Sequence, residues 1–418
     1  MNVSISPQAE IQGKLQAISS KSMAHRVLIC ASLAEETQQI KIRTSSADIE
    51  ATVSCLKALG ADIIKSGTDY TVQPITLGQS AVADCRESGS TLRFLIPVVS
   101  ALGLNCTFTG CGRLPQRPIY QLLNTLKKND AEFSSDTLPF TASGKLKSGD
   151  YEITGDVSSQ FISGLLFALP LLDGDSRIIL SSPLQSASYV DMTIDAMKSF
   201  GVYAQKTAWG FYVSGNQKYK SHDTAVIEGD WSNAAFILTA AAIGGNVSLY
   251  DLNEKSSQSD KEILNVIKNF GADVSYDGTY YRVCKNKCLP LSVDVSQIPD
   301  LFPIISVLCA ASNGKSVLYN ASRLRIKESD RLEATKALLI SLGGKAEISD
   351  DSLIIYGSGR LKGGTVDSFN DHRIAMSAAV ASVICDNAVT VTDMQAINKS
   401  YPDFINDFNS IGGKINVL

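Results

Sequence analysis

Residues 158–180 read SSQFISGLLFALPLLDGDSRIIL, and this stretch decides the fold. Three polar residues, Ser158, Ser159 and Gln160, open a run of small and apolar residues with no polar stripe. The run ends at the turn Asp173-Gly174-Asp175, and Arg177 to Leu180 then reads as a strand. A helix that is apolar all round belongs inside a core. Downstream, 188–204 (SYVDMTIDAMKSFGVYA) is amphipathic and stops at Gly201, a C-cap signal. GFYVSGN at 210–216 alternates as a strand does. Together these pieces predict a βαβαββ unit.

The unit recurs at intervals of roughly 70 residues, a spacing found by the search that reveals shorter solenoid repeats. Small-residue helices begin near Ser20, Gly89, Ser158, Gly229, Ile298 and Asn370. Each is followed by a more amphipathic partner: 47–63, 117–133, 188–204, 259–276, 330–348 and 401–418. Asn129-Asp130 stands in the second copy where the others carry Gly. Six copies divide into two domains of three, small-residue helices inside and sheets outside, an α/β architecture turned inside out. The boundaries fall at 17–227 for one domain and at 1–16 with 228–418 for the other. Val3 and Ile5 read as a strand outside the first copy.

Composition agrees with this division. The chain has 418 residues, 44% hydrophobic and 19% charged, with net charge −4, which suits two cores rather than one. An acidic balance excludes nucleic acid as the expected partner. The longest apolar runs, such as Ile374 to Ile384, are too short to span a membrane. MNVSISPQAEIQG at the N-terminus carries neither a basic region nor an apolar one, so a cytoplasmic location is expected. Nine cysteines, an odd number with most of them set in apolar runs, read as reduced thiols. His25, His222 and His372 are scattered, and no metal site is expected.

Unusual polar residues fall at the helix starts. First helices carry Lys21, Ser22 and Arg26, then Ser90 and Arg93, then Ser158, Ser159 and Gln160, then Asp300, then Asp371, His372 and Arg373. Second helices carry Arg117, Ser186, Tyr189, Lys327, Glu328, Arg331 and Lys399. Helix N-termini favour anions. Repetition of one unit gathers these ends on one face of each domain, and two such faces make an anion-binding cleft between the domains. The densest run is Lys327-Glu328-Ser329-Asp330-Arg331, where a carboxylate sits between two cations as a candidate acid or base. Gly89 lacks a side chain and so admits a ligand close to the backbone.

In order along the chain, SKSxxxR from Ser20, SGSTLR from Ser88, RP at Arg117, SSQF from Ser158, IPD from Ile298, KESDR from Lys327, NDHR from Asn370 and KSYPDF from Lys399 resemble the 3-phosphoshikimate 1-carboxyvinyltransferase (EPSP synthase) family. The resemblance implies a two-domain inside-out α/β barrel of six βαβαββ units, three per domain. It implies transfer of the enolpyruvyl group of phosphoenolpyruvate to the 5-hydroxyl of 3-phosphoshikimate, without metal or organic cofactor. A monomer is expected, since nothing in the sequence suggests an assembly. Ser22, Arg26, Ser158, Ser159, Ser186 and Lys327 would hold 3-phosphoshikimate, with Tyr189 closing its pocket. Lys21 and Gln160 would reach both substrates. Gly89, Arg117, Arg331, Arg373 and Lys399 would hold phosphoenolpyruvate. Asp300 would touch 3-phosphoshikimate and accept its hydroxyl proton, Glu328 would exchange the methylene proton, and Lys21 joins them as the third catalytic residue.

Three positions depart from the family pattern: Ser19 where Gly is common, Glu87 where many members have Asn, and Arg323 where some have Asn. Two other readings compete. The related transferase acting on UDP-N-acetylglucosamine typically has Lys-Asn at the Lys21-Ser22 position and a cysteine on a loop near Arg117, and Cys111 alone does not restore that pattern. A non-catalytic anion-binding repeat protein would account for the cations but has no need of Asp300 and Glu328.

Overall fold

The computed structural model describes residues 1–7, 10–76, 78 and 80–418. The chain forms two compact units, one of Met1–Ser20 with Glu228–Leu418 and the other of Lys21–Ile227. Residues 17–20 pair with the first unit: Ala17 N donates to Tyr250 O at 3.0 Å and Ser20 N to Glu228 O at 2.8 Å. The boundary therefore lies after Ser20, four residues later than the sequence pattern suggested.

Six four-stranded sheets are present among the described residues, all with the same order. Ser80–Asp84 runs parallel to Asn105–Thr109, which pairs antiparallel with Phe140–Gly144, and Ala131–Phe133 closes the edge. A parallel pair needs a crossover helix and an antiparallel pair only a hairpin, so this order is βαβαββ written in hydrogen bonds. The sheets built on Ser176–Leu180 and Asn313–Tyr319 repeat it from contiguous chain. The other three borrow a strand. Ala225–Val226 supplies the parallel strand beside Gln38–Lys41, and Ile11–Gln16 supplies the one beside Gly245–Tyr250. Val3–Ile5 completes the sixth sheet between Val389–Thr392 and Ile415–Val417.

The small-residue helices lie inside, as their composition requires. Every residue of Phe302–Ala311 and of His372–Ala381 is buried, and both pack against Trp231–Gly244. In the second unit, Gly89–Leu102 packs on Ser159–Ala168. A Cβ at Gly164 would stand 2.4 Å from Arg93 O, so only glycine lets these two backbones meet. Phe94 and Phe167 fill the space beside them edge to face, centroids 5.5 Å apart, and burial of such a side chain contributes about 1.5–3 kcal/mol. The second helices end as their sequences predicted: Gly60, Gly201, Gly271, Gly343 and Gly412 all have positive φ. In the second copy Asp130 takes that place, with φ 69°, since Asp tolerates the left-handed region better than most residues. Cys30, Cys55, Cys85, Cys106, Cys309 and Cys385 are buried as free thiols. Among the described residues, no helix is long and apolar enough to cross a membrane.

Candidate active site

In the first unit the residues singled out by sequence converge on one guanidinium. Helix Arg331–Ser341 begins only at Arg331, with Asp330 as its N-cap, so Lys327 and Glu328 stand in the turn before it rather than in its first turn. That turn holds Glu328 over Arg331. The Arg331 side chain is 1% exposed and donates from all three nitrogens: Nε to Asp371 Oδ2 at 2.8 Å, Nη1 to Asp300 Oδ1 at 2.7 Å, and Nη2 to Glu328 Oε2 at 2.7 Å. Burial alone pushes its pKa down, but the Asp371, Glu328 and Asp300 carboxylates outweigh that and hold it well above the ordinary arginine value.

Asp300 gathers further cations. It lies in the short turn Pro299–Leu301 ahead of helix Phe302–Ala311. Arg373 donates to its Oδ2 and to its backbone carbonyl, both at 3.1 Å, and Lys327 Nζ lies 3.5 Å from its Oδ1. Burial, opposed by Asp300 and reinforced by Arg331 and Arg323, lowers the Lys327 ammonium to about 8. Lys399, at the end of the turn Met394–Lys399, donates to Asn370 O at 2.6 Å. The left-handed backbone of Asn370, φ 52°, aims that carbonyl.

The second unit holds the other set. Arg26 is buried and fixed by Thr193 Oγ1 at 2.9 Å, Tyr189 O at 2.8 Å and Ser22 O at 2.6 Å. Arg93 donates to Gln160 Oε1 at 2.7 Å, and Gln160 Nε2 donates to Ser90 Oγ at 2.8 Å. Lys21 Nζ is paired with Asp48 at 2.8 Å. Arg117 closes the turn Leu114–Gln116, ahead of its helix, and its guanidinium lies against Gly89, where a Cβ would come within 2.6 Å of Nη1. Ser158 caps helix Ser159–Ala168 by accepting from Gln160 N at 3.3 Å, and Ser159 is buried just inside it. Ser186 enters helix Ala187–Ser199 with φ 54°, a strained backbone of the kind that collects at functional sites.

Several partners were not singled out as site residues. The sequence marks Asp371 only as a helix-start residue, yet its carboxylate is fully buried, caps its helix through Arg373 N and accepts from Ser329 Oγ and Arg331. Asp48 reads as an ordinary first-turn acid and Thr193 as one polar residue on an amphipathic helix, so neither carried a signal. Asp260 is buried, and desolvation, then the charge of Asp300, push its carboxyl up to about 6. Among the described residues, no three His, Cys, Asp or Glu side chains form a group able to hold a metal. What the arrangement offers is cations and carboxylates held at fixed places, suited to multiply charged anions and to proton transfer.

Comparison with known proteins follows the same lines. The family model for EPSP synthase (3-phosphoshikimate 1-carboxyvinyltransferase) matches residues 5–408. The 3-phosphoshikimate 1-carboxyvinyltransferase of Clostridium novyi is 42% identical, over 99% of this chain and 98% of its own. That of Brachyspira hyodysenteriae is 44% identical, over 99% and 100%. A solved EPSP synthase from Acinetobacter baumannii shares the fold over the whole of both chains, with a TM-score of 0.83 at 24% identity. Matched in order from its first strand to its last helix, the chain belongs to the EPSP synthase (3-phosphoshikimate 1-carboxyvinyltransferase) family.

Proposed function

We propose that Asp300, Glu328 and Lys21 carry out the reaction of this family on two anions held by the residues around them. The enolpyruvyl group of phosphoenolpyruvate moves to the 5-hydroxyl of 3-phosphoshikimate, giving 5-enolpyruvylshikimate 3-phosphate and phosphate, a step of the shikimate pathway toward chorismate and the aromatic amino acids. The 5-hydroxyl oxygen attacks the enol carbon while its proton passes to Asp300, and Glu328 delivers a proton to the methylene carbon. The tetrahedral intermediate then returns a methyl proton to Glu328 and expels phosphate, which carries off the proton taken by Asp300. An enol carbon is a poor electrophile until its neighbour is protonated, so the acid and the base must be separate groups. The observation that carries this reading is the Arg331 guanidinium, which ties Asp300 and Glu328 at 2.7 Å each and so fixes two carboxylates on one rigid fork.

Lys21 and Gln160 contact both substrates in this reading. Ser22, Arg26, Ser158, Ser159, Ser186, Tyr189, Asp300 and Lys327 serve 3-phosphoshikimate. Gly89, Arg117, Arg331, Arg373 and Lys399 serve phosphoenolpyruvate, whose charge they stabilise as the intermediate forms. Phosphate release measured with both substrates, with each alone, and with UDP-N-acetylglucosamine in place of 3-phosphoshikimate tests the reaction. Release is expected only with phosphoenolpyruvate and 3-phosphoshikimate together, and release with the nucleotide sugar instead would transfer the chain to the related activity.

Two further results are expected. The 3-phosphoshikimate affinity depends on the charged form of Lys327, whose pKa is about 8, so affinity should be highest below that value and fall as pH rises through it. Loss of one charge-assisted hydrogen bond, about 1.5–3 kcal/mol, sets the range at roughly ten- to a hundredfold. Calorimetric titration between pH 6.5 and 9.5 reads it, and Lys327→Arg should flatten the profile. A flat profile in the unaltered protein would remove Lys327 from the phosphate.

Gly89→Ala brings a methyl to 2.6 Å from Arg117 Nη1. The guanidinium is the far end of a flexible side chain and can move, and alanine suits a helix better than glycine. Thermal stability should therefore hold, while the KM for phosphoenolpyruvate rises about tenfold as Arg117 is displaced. Equal rises for both substrates would point to a general distortion of the backbone.

A further inference from the structure

A buried chain of hydrogen bonds runs from His25 to the start of the helix at Gly89. His25 Nδ1 lies 2.6 Å from Thr52 Oγ1, Thr52 Oγ1 lies 2.7 Å from Thr91 Oγ1, and Thr91 Oγ1 donates to Ser88 Oγ at 2.7 Å. All four side chains are at most 1% exposed. Ser88 is the N-cap of helix Gly89–Leu102 and also accepts from Thr91 N.

The direction of the chain follows from counting protons. Thr91 spends its hydroxyl proton on Ser88, so the proton between the two threonines belongs to Thr52. Thr52 Oγ1 must then accept, and His25 Nδ1 carries the hydrogen. The imidazole is neutral, held well below its ordinary pKa by burial and then by the charges of Lys21 and Arg26. Nε2 is accordingly a bare lone pair, and no hydrogen-bond partner for it is found among the described residues.

The chain joins three helices at their first two turns. Lys21 precedes His25 by one turn on helix Lys21–Ser32, and Asp48 precedes Thr52 by one turn on helix Ala47–Ala58. The Lys21–Asp48 ion pair, 2.8 Å, and the His25–Thr52 bond are thus successive rungs between the same two helices. The Thr52–Thr91 bond adds the third helix. Lys21 and Gly89 sit at the two ends of this framework, and nothing in its buried middle reaches a substrate in the reading above.

We propose that His25, acting through Thr52 and Thr91, is a positioning residue for phosphoenolpyruvate: it fixes the Ser88–Gly89–Ser90 turn relative to the Lys21 ammonium. The inference rests on the assignment of Lys21 and Gly89 to that substrate. Thr52→Val keeps the shape and removes the link. His25→Leu removes its source. His25→Gln carries its amide where Nε2 stood and leaves Thr52 without a donor. His25→Asn places an amide nitrogen where Nδ1 was, and Thr52→Ser keeps the hydroxyl.

Steady-state kinetics should show the KM for phosphoenolpyruvate raised about tenfold in Thr52→Val, His25→Leu and His25→Gln, with kcat and the KM for 3-phosphoshikimate within about twofold. His25→Asn and Thr52→Ser should return it to within about twofold of the original. A merely structural role would lower stability without this split between substrates and without rescue by the amide. Equal changes in both KM values, or a His25→Asn variant no better than His25→Leu, overturns the proposal. Gly89→Ala measured alongside separates the two ideas. If it raises the KM for phosphoenolpyruvate and Thr52→Val does not, the positioning role fails alone. If Gly89→Ala leaves that KM unchanged, the assignment beneath it fails.

Discussion

Replacing Glu328 by glutamine is expected to cut kcat by roughly a hundredfold or more, the range for loss of a general acid or base, while 3-phosphoshikimate still binds within about twofold. The amide matches the carboxyl in shape but cannot cycle a proton. Glu328 Oε2 accepts from Arg331 Nη2 at 2.7 Å, and the glutamine oxygen can accept the same bond, so the side chain keeps its place. Arg26, assigned to 3-phosphoshikimate, is fixed by Thr193, Tyr189 and Ser22, and Lys327 lies against Asp300; the substitution leaves all of these groups in place, which is why binding and turnover should separate. Equilibrium titration and initial rates on the same preparation read the two quantities. Parallel losses in both would make Glu328 a binding residue rather than a proton carrier.

The largest effect on stability should come from Arg331→Met. The guanidinium is 1% exposed and shared by Asp300, Glu328 and Asp371, the last with no exposed side-chain surface. Methionine fills much of the volume but leaves three carboxylates facing one another. Breaking a buried ion pair by removing one partner costs about 3–5 kcal/mol, since the remaining charge is left without compensation. For a unit of this size that is a fall of about 10 °C in thermal midpoint. Arg331→Lys keeps one charge but cannot reach three carboxylates at once, and should fall between the two. A midpoint for Arg331→Met within 2 °C of the original would show that the three carboxylates do not depend on this cation.

These expectations rest on features that differ in how far the sequence revealed them. The repeated unit was legible because burial on all sides writes itself as an unbroken run of small apolar residues, as in Phe302–Ala311, and because left-handed C-caps select Gly or, once, Asp130. Strand exchange was not. Val3–Ile5, Ile11–Gln16 and Ala225–Val226 join sheets whose other strands lie far along the chain, and hydrophobic pattern carries no information on partner. The cations of the site stood out since Lys and Arg at helix starts run against the macrodipole. Their buried partners did not: Asp48 and Asp371 are the acids that any helix start favours, and only folding shows that one holds Lys21 and the other Arg331. The chain from His25 to Ser88 was equally hidden, its members being separated by 27, 39 and 3 residues.

The central claim is that Glu328 moves a proton on and off the methylene carbon of phosphoenolpyruvate, and turnover in heavy water tests it most directly. The tetrahedral intermediate carries a methyl group whose hydrogens are equivalent, so the proton it loses need not be the one it gained. With the unaltered protein, mass spectrometry of the product should show deuterium in the transferred enolpyruvyl group, and recovered phosphoenolpyruvate should carry it wherever the first step reverses. Glu328→Gln should yield labelled product only slowly, and exchange of deuterium into recovered phosphoenolpyruvate should slow with it. Turnover within a few fold of the original rate and undiminished deuterium in that variant would contradict the account and pass the proton to another group, Lys21 first.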